Sequence, residues 1–149
     1  MEGQRNVRES LRKAGLRVTS PRVMVLARLV EHPHSTADGL LRWMEEQQGA
    51  ISRQGMYDVL TSLERVGLAR RIEPAGHPSR YETRVGDNHH HVICRVCGAI
   101  ADVDCAVGAM PCLEPSTSSG FVVEEAEINF WGLCPDCHDP PRKRTRRPT

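Results

Sequence analysis

Two Cys-x-x-Cys pairs constrain the fold of this chain more than any other feature of its sequence. The pairs are Cys94 with Cys97 and Cys134 with Cys137, separated by 36 residues. Each pair can form a turn whose two thiolates point at one ion, and two such pairs complete a tetrahedral four-thiolate zinc site. Closing the long intervening loop adds little entropic cost. A filled thiolate shell leaves no open position, so the pattern predicts a structural zinc ion. The alternatives are redox-active dithiols or two disulfides.

Charge and cysteine content both change along the 149 residues. Residues 1–84 have a net charge of +4, residues 85–137 of −7 and residues 138–149 of +4. All six cysteines lie in the acidic segment, and Cys105 and Cys112 fall outside the paired pattern as small core residues or bystanders. The joint change near residue 85 predicts two domains rather than one domain with uneven loops. The predicted organisation is an N-terminal domain at 1–84, a hinge at 85–88, a second domain at 89–138 and a disordered basic tail at 139–149.

The sequence carries no signal for a membrane. No apolar run approaches the roughly eighteen residues of a transmembrane helix, and the charged stretch MEGQRNVRESLRKAGLR lacks the apolar segment of a secretory signal. We therefore expect a cytoplasmic protein with no membrane partner. In that reducing compartment, cysteines serve as metal ligands or redox groups more often than as structural disulfides.

The first 84 residues predict a series of helices followed by a hairpin. Helical apolar periodicity occurs in NVRESLRKAGLR, TSPRVMVLARLVEH, STADGLLRWMEEQQG and ISRQGMYDVLTSLERVGL. Thr19 or Ser20 is a suitable cap for the second helix, whose apolar stripe is predicted as Val23, Leu26, Ala27 and Val30. Two short alternating stretches, LARRIEP and SRYETRV, flank a turn that contains proline and glycine. This order of elements predicts a winged helix-turn-helix.

In a winged helix, the helix before the hairpin enters the major groove of DNA and presents its N-terminal residues to the bases. Arginine pairs with guanine and glutamine with adenine, whereas serine and tyrosine hydroxyls suit phosphates. The candidate DNA-binding residues are therefore Ser52, Arg53, Gln54 and Tyr57 at the start of that helix, together with Arg17 and Arg22 near the second helix. The alternative is an ordinary solvated face.

Three histidines precede the first cysteine pair. The stretch NHHHVIC is predicted to be extended, and residues two apart in a strand share a face, so His89 and His91 point together while His90 points away. AIADVD predicts a returning strand that can bring Asp102 beside them. Two imidazoles and one carboxylate suit Fe(II), Mn(II) or Zn(II). The alternative is a set of hydrogen-bonded or surface histidines.

Taken together, these motifs resemble the ferric uptake regulator (Fur) family of metal-dependent repressors. The resemblance covers roughly residues 8–138. The matching stretches are, in order, RVTSPRVMVL, HPHSTADGLL, ISRQGMYDVLTSLERVGLARRI, SRYE, NHHHVICRVCG and WGLCPDC. Within the family, the chain is most similar to the actinobacterial FurA or CatR branch, which is linked to the control of catalase-peroxidase genes.

The resemblance implies an α+β fold, with an N-terminal winged helix and a C-terminal α/β dimerisation domain that holds the four-cysteine zinc site. It also implies a homodimer bound to a palindromic operator in double-stranded DNA, with no small-molecule substrate and no catalytic residues. The stretch FVVEEAEINFWG would be an interface strand, and a short helix would lie within residues 105–118.

The resemblance further implies one regulatory Fe²⁺ or Mn²⁺ per subunit, held between the two domains, in addition to one structural Zn²⁺. Its ligands, carried over by position, are His34, Glu82, His89, His91 and Asp102. His32 is a competitor for His34, which precedes TAD at the spacing typical of the family. An additional metal site of the family is expected to be absent, because Ala126 and Ala109 occupy positions of a histidine and an acid.

The ligand types bear on the signal. In this family, aspartate at the position of Asp102 is typical of peroxide sensors, which oxidise their own histidine ligands, here His34 and His89. Glutamate at the position of Glu82 is the type found in iron sensors, so an iron- or zinc-uptake regulator is the first alternative. The recognition helix also departs from the family pattern, with Gln54-Gly55-Met56-Tyr57 in place of Ala-Thr-Val-Tyr.

Two alternatives from other classes remain. A thiol-based redox switch would use the cysteine pairs, and a metalloenzyme would use the histidine and aspartate cluster. The sequence contains no HExxH motif, and five protein ligands would leave little room for a substrate. The tail PPRKRTRRPT lies outside the resemblance, and its five positive charges either add salt-sensitive DNA affinity or simply solvate the chain end.

Overall fold

A computed structural model describes residues 2–87, 89–104, 115–124 and 126–139, with side chains from residue 5 onward. The chain divides into two compact units, Met1–Asp87 and Asn88–Thr149. Several residues singled out above lie outside the described part: Cys105, Cys112, Ala109 and the tail from residue 140. Within the described part, no helix has both the length and the apolar composition that crossing a bilayer requires.

The described part of the first unit contains four helices and a two-stranded hairpin. The elements are α1 (Glu2–Lys13), α2 (Ser20–Glu31), α3 (Ala37–Glu46), α4 (Arg53–Arg65), β1 (Arg70–Ile72) and β2 (Arg80–Glu82). The strands are antiparallel, and Arg71 lies opposite Tyr81. Helices followed directly by a short hairpin form the winged helix that the sequence predicts.

Side-chain caps fix where the last two helices begin. The hydroxyl of Thr36 accepts a hydrogen bond of 3.0 Å from the backbone N–H of Gly39 at the start of α3. The hydroxyl of Ser52 accepts one of 3.0 Å from the backbone N–H of Gly55 at the start of α4. Each bond satisfies a helix donor that has no partner within the helix. The cap on α4 therefore determines which residues lie at its exposed end.

The core of the first unit is apolar and draws on all four helices. Its fully buried side chains include Leu11, Leu29, Leu40, Met44, Met56, Leu60 and Leu63. The predicted stripe of α2 is partly wrong, because Val30 is 59% exposed whereas Val25 and Leu29 are fully buried. Helix α2 packs against α1, α3 and α4, so the side of the helix that is buried is rotated relative to the predicted stripe. Apolar periodicity alone does not locate that centre in a helix with neighbours on several sides.

The described part of the second unit contains a three-stranded sheet and a short helix. The elements are β3 (His89–Cys94), β4 (Ile100–Asp104), β5 (Asn129–Gly132) and α5 (Pro135–His138). Strand β3 is central, antiparallel to β4 and parallel to β5. The helix expected within residues 105–118 falls mostly outside the described residues, and none is present over 115–118.

The predicted interface strand is shorter than expected. Among the described residues of FVVEEAEINFWG, which leave out residue 125, Asn129–Gly132 pair as a strand, and Phe121 and Val122 are 77% and 86% exposed. The register limits the length of the strand, since His91 lies opposite Asn129 and β3 begins only two residues earlier, at His89. In this register the described residues 121–124 would lie opposite positions before His89, beyond the start of β3.

Candidate metal centres and nucleic-acid interface

The four paired cysteines lie together in the second unit. Strand β3 ends at Cys94, and its pairing with β5 places Cys94 opposite Gly132, two residues before Cys134. Each pair closes a tight turn, with Gly98 N donating to Cys94 O at 3.0 Å and Cys137 N donating to Cys134 O at 3.0 Å. The register of the sheet and the two local turns thus bring the four cysteines together.

The geometry of this cluster fits zinc. The four sulfur atoms all lie within 4.8 Å of one another, and Cys97 Sγ is 3.6 Å from Cys134 Sγ. Sulfurs at the corners of a tetrahedron with Zn–S bonds of about 2.3 Å would be about 3.8 Å apart. None of the four is bonded to another as a disulfide. The arrangement is therefore that of a closed four-thiolate shell.

Electrostatics explain why such a cluster favours a cation. Backbone N–H groups, first that of Cys97 and then that of Cys134, lower the pKa of the Cys94 thiol to about 6. The neighbouring thiol of Cys134, followed by burial, raises the pKa of Cys137 to about 12. One thiolate therefore forms easily, and each further negative charge is opposed by the charges already present. A bound dication would offset part of this negative charge and so favour the thiolate forms at neutral pH.

In the first unit, the structure brings His34 to Glu82. The backbone of Ser35 bridges to Tyr81, whose N–H donates to Ser35 O at 2.9 Å, so the residues on either side of that bridge become neighbours. His34 Nε2 lies 3.1 Å from Glu82 Oε2, and the Glu82 side chain is completely buried. His32, the competing candidate, is exposed on the surface. The bridge therefore selects His34 as the histidine that faces the carboxylate.

The loop that carries His34 adopts an uncommon backbone conformation. His34 has φ of +63°, in the left-handed region that few residues other than glycine adopt. Arg80 Nη1 donates to the carbonyl of His34 at 3.3 Å, which ties this turn to β2. Strained residues held in this way concentrate at functional sites.

In the second unit, the alternation predicted for β3 is confirmed. The rings of His89 and His91 share a face with their centroids 4.8 Å apart, and His91 lies directly opposite Asp102 on β4. Asp102 Oδ1 is 3.5 Å from His91 Nε2 and 3.8 Å from His89 Nε2. Both histidine side chains are fully buried, whereas that of Asp102 is 27% exposed. These three donors converge on one face of the β3–β4 pair.

Each unit therefore holds a set of donors suited to the same metals. Imidazole nitrogens and carboxylate oxygens bind Fe(II), Mn(II) and Zn(II). The first unit supplies two such groups and the second unit three, so each unit alone offers part of a coordination shell. The ligand role of these five residues stays a prediction.

The predicted DNA-reading residues occupy the exposed start of α4. Arg53 forms an ion pair with Asp38 of α3, and Gln54 Nε2 donates to Asp58 Oδ1 at 2.9 Å. Tyr57 lies exposed one turn further along. The sequence pattern placed Arg53 and Gln54 correctly at the start of the helix, but it missed their two acidic partners. The sequence contained a signal for one of them, because Gln54 and Asp58 are four residues apart in a helix.

Arg22 has a structural contact that the sequence did not reveal. Its Nε donates to Ser62 Oγ of α4 at 3.2 Å, and its Nη1 donates to the carbonyl of Arg17 at 2.9 Å. The guanidinium therefore links the start of α2 to α4 and to the preceding turn. Arg17 itself is exposed. Phosphate binding by either arginine stays a prediction.

A winged helix followed by a sheet with a closed four-cysteine cluster defines a class: metal-binding transcriptional regulators with a separate DNA-binding unit. Residues 13–130 match the sequence model of the Ferric uptake regulator family. The chain belongs to this family, in its actinobacterial FurA branch. It is thus a Fur-family transcriptional regulator, and the predicted α+β architecture is confirmed.

Individual relatives and structures support this placement. The chain is 54% identical over 129 residues to "Transcriptional regulator FurA" of Mycobacterium tuberculosis, covering 87% of this chain and 88% of that protein. It is 54% identical over 121 residues to "Ferric uptake regulation protein 1" of Mycolicibacterium fortuitum, covering 81% and 75%. A solved ferric uptake regulator from Pseudomonas aeruginosa with manganese is 26% identical, has a TM-score of 0.65 and covers 87% of this chain and 98% of that one.

Proposed function

We propose that this chain is a dimeric, metal-dependent repressor that releases its operator when peroxide oxidises the histidines of its regulatory site. The observation that carries the proposal is the division of the donors. His34 and Glu82 are preorganised in the first unit, and His89, His91 and Asp102 in the second. Neither set is complete, whereas the five groups together suit one Fe²⁺ or Mn²⁺.

The burial of Glu82 supports a cation at this position. A carboxylate with no solvent access is costly unless a positive charge compensates it. A dication bound by Glu82 and by His34, whose Nε2 lies 3.1 Å from Glu82 Oε2, would supply that charge. Buried imidazoles without protons are also the form that binds metals. The residues present therefore fit a regulatory divalent metal.

One ion with ligands from both units would couple metal binding to DNA binding. The ion selects the arrangement of the units in which all five ligands reach it, and that arrangement is the one suited to the operator. Couplings of this kind are typically about 1–3 kcal/mol, which changes affinity by about 5- to 150-fold. The structural Zn²⁺ in the cysteine cluster, one per subunit, would remain bound throughout because its shell is closed.

Asp102 favours peroxide as the signal, through the family pattern described for the sequence. When bound, Fe²⁺ would activate peroxide next to the ligand imidazoles. In each oxidised ring, that of His34 or of His89, one carbon would exchange its C–H bond for a bond to one peroxide oxygen while the other oxygen leaves as water, and the oxidised ring would bind the ion less well. Loss of ligands from both units then removes the coupling. Genes of peroxide defence, of the catalase-peroxidase type, are the proposed targets.

The exposed segment before β5 supports a homodimer. Phe121 and Val122 are strongly exposed, and in the register of β5 they would lie beyond the start of β3. A second copy of the chain would cover this apolar segment, as the family resemblance implies. Two copies would then place two α4 helices on the halves of a palindromic operator. Such a protein acts in the cytoplasm, without enzymatic activity or a small-molecule substrate.

Metal-dependent binding to DNA tests the proposal. Full-length zinc-loaded protein would select duplexes from a random pool, and their affinity would then be measured without oxygen after adding Fe(II), Mn(II) or Zn(II). We expect at least one metal to raise affinity by about 5- to 150-fold. Micromolar peroxide should reverse the gain for the Fe(II) form, with added oxygen on peptides that contain His34 and His89. No gain with any metal would refute the coupling.

Iron supply is the second candidate signal. It is favoured by the name "Ferric uptake regulation protein 1" of the Mycolicibacterium fortuitum relative and by glutamate at position 82. In this case Fe(II) would raise DNA affinity, but peroxide would leave both histidines unmodified. Zinc loss with intact histidines would instead indicate a thiol switch at Cys97 and Cys134, whose sulfurs are 3.6 Å apart.

A further inference from the structure

The guanidinium of Arg53 on α4 forms an ion pair with α3 in the DNA-free protein. Arg53 is the first residue of α4, and its ion-pair partner Asp38 is the second residue of α3. Two neighbours raise the pKa of Arg53. The larger effect comes from the carboxylate of Asp38 and the smaller one from Tyr57, one turn along α4. The side chain is 65% exposed, so this contact is made on the outer surface of the unit.

The position of Asp38 is set by packing rather than by its own flexibility. Thr36 caps α3 through Gly39, which fixes the first turn of that helix. Ala37 and Leu40, on either side of Asp38, are buried in the core. The carboxylate is short and starts from a fixed backbone, so it defines where the long Arg53 side chain ends.

Gln54 provides a contrast within the same helix. Its partner Asp58 lies one turn along α4, so that pair moves with the helix as a single body. The Arg53–Asp38 ion pair instead links the guanidinium on α4 to a second helix, α3. A free arginine side chain carries several rotatable bonds, and ordering them on binding opposes association. A side chain already ordered by a neighbour avoids much of that loss.

We propose that Asp38 is a positioning residue that makes base reading by Arg53 specific. This inference rests on the proposed DNA-binding role of α4. Asp38 fixes the guanidinium at the start of the recognition helix, in reach of a base edge, and competes with phosphates for it. On an operator, Arg53 contacts a base edge while Asp38 keeps its guanidinium in place. On other DNA, Arg53 stays with Asp38 and does not strengthen binding through phosphates.

The measurement is the ratio of affinities for two duplexes. Metal-loaded full-length protein first selects duplexes from a random pool, and affinity is then measured for the selected duplex and for a scrambled duplex of equal length. In Asp38→Asn we expect affinity for the scrambled duplex to rise and the operator-to-scrambled ratio to fall by about two- to fivefold, the range of exposed ion-pair couplings. Circular dichroism checks that α3 is intact.

Glu46→Gln is the matched control, because it removes the same charge from the last turn of α3. It should raise both affinities together and leave the ratio unchanged. Arg53→Ala supplies the second comparison: adding Asp38→Asn to it should no longer change the ratio, because Asp38 acts through Arg53.

Two results would overturn the inference. One is a ratio in Asp38→Asn equal to that in Glu46→Gln, which would mean that Asp38 contributes only its charge. The other is an equal effect of Asp38→Asn with and without Arg53. If the unmodified protein enriches no sequence from the pool, the proposed DNA-binding function itself fails, and that outcome is seen before any variant is compared.

Discussion

The two units of this protein are stabilised by different means. The first unit buries a continuous apolar core from four helices, whereas in the described part of the second unit the buried apolar residues are Ile93 and Cys94. The other buried residues in the described part of that unit are Gly98 and the three histidines His89, His90 and His91. A sheet with so small a core needs another source of stability, such as a structural metal or a partner chain. From this difference in the described residues we expect a metal bound by the cysteine cluster to contribute to the folding of the second unit.

Disrupting the cysteine cluster should have the largest effect. Cys134→Ser removes one of four thiolates, and structural zinc contributes binding free energy on the order of 10 kcal/mol to folding. We expect loss of zinc and rapid amide hydrogen exchange in β3, β4 and β5, with α2 and α4 still protected. Cys112→Ser, outside the paired pattern, should keep its zinc. Retention of zinc by Cys134→Ser would contradict the four-thiolate site.

A cavity in the helical core should destabilise the first unit alone. Leu60 is fully buried in α4, so Leu60→Ala should lower the free energy of unfolding by about 2–5 kcal/mol. Val30→Ala is the control, since that side chain is largely exposed and should change stability by less than about 0.5 kcal/mol. Denaturant unfolding followed by tryptophan fluorescence reports on this unit when Trp131→Phe is present in every variant, because Trp43 is then the remaining tryptophan. If removing zinc lowered the free energy of unfolding of the first unit as much as Leu60→Ala does, the two units would not be stabilised by different means.

Removing one regulatory ligand should separate the two kinds of metal. Glu82→Gln keeps the shape of the side chain but removes its charge. Changes next to metal ligands already reduce affinity by about 10- to 100-fold, so loss of a ligand should reduce Mn(II) affinity by at least about 100-fold. The zinc content should stay at one per chain. Glu73→Gln, on the exposed side of the hairpin, is the control, and calorimetric titration with Mn(II) gives the affinities.

The smallest predicted effect concerns the start of α4. Ser52→Ala removes the cap on Gly55 and should destabilise the first unit by about 1 kcal/mol. Thr61→Ala, at an exposed position in the middle of the same helix, should have little effect. Thermal unfolding measures both variants. Equal effects at the two positions would mean that the hydrogen bond of Ser52 does not stabilise the helix.

Features of the sequence with short, regular spacing predicted the structure well. The period of two in β3 placed His89 and His91 on one face, and the spacing within each cysteine pair gave the two tight turns. A serine or threonine before an apolar periodic stretch is a local signal for the start of a helix, and Thr36 and Ser52 cap α3 and α4 in this way. His34 and Glu82, distant in sequence, were identified through the family resemblance alone.

Contacts between elements were less predictable. The pairing of Arg53 with Asp38 depends on how α3 and α4 pack, and the link from Arg22 to Ser62 depends on α2 and α4. The length of β5 was overestimated because it depends on pairing with His91–Cys94 of β3, not on the apolar residues of the segment itself. Each of these features arises from tertiary arrangement, which a single sequence encodes only indirectly.

Strand β3 has a consequence for how signals combine. Its six consecutive residues hold two proposed ligand imidazoles, those of His89 and His91, towards one end and a proposed zinc thiolate, that of Cys94, at the other. Loss of zinc would release the end of the strand on which both imidazoles depend. Under the proposed mechanism, thiol oxidation would therefore disable the regulatory site even when its histidines are unmodified.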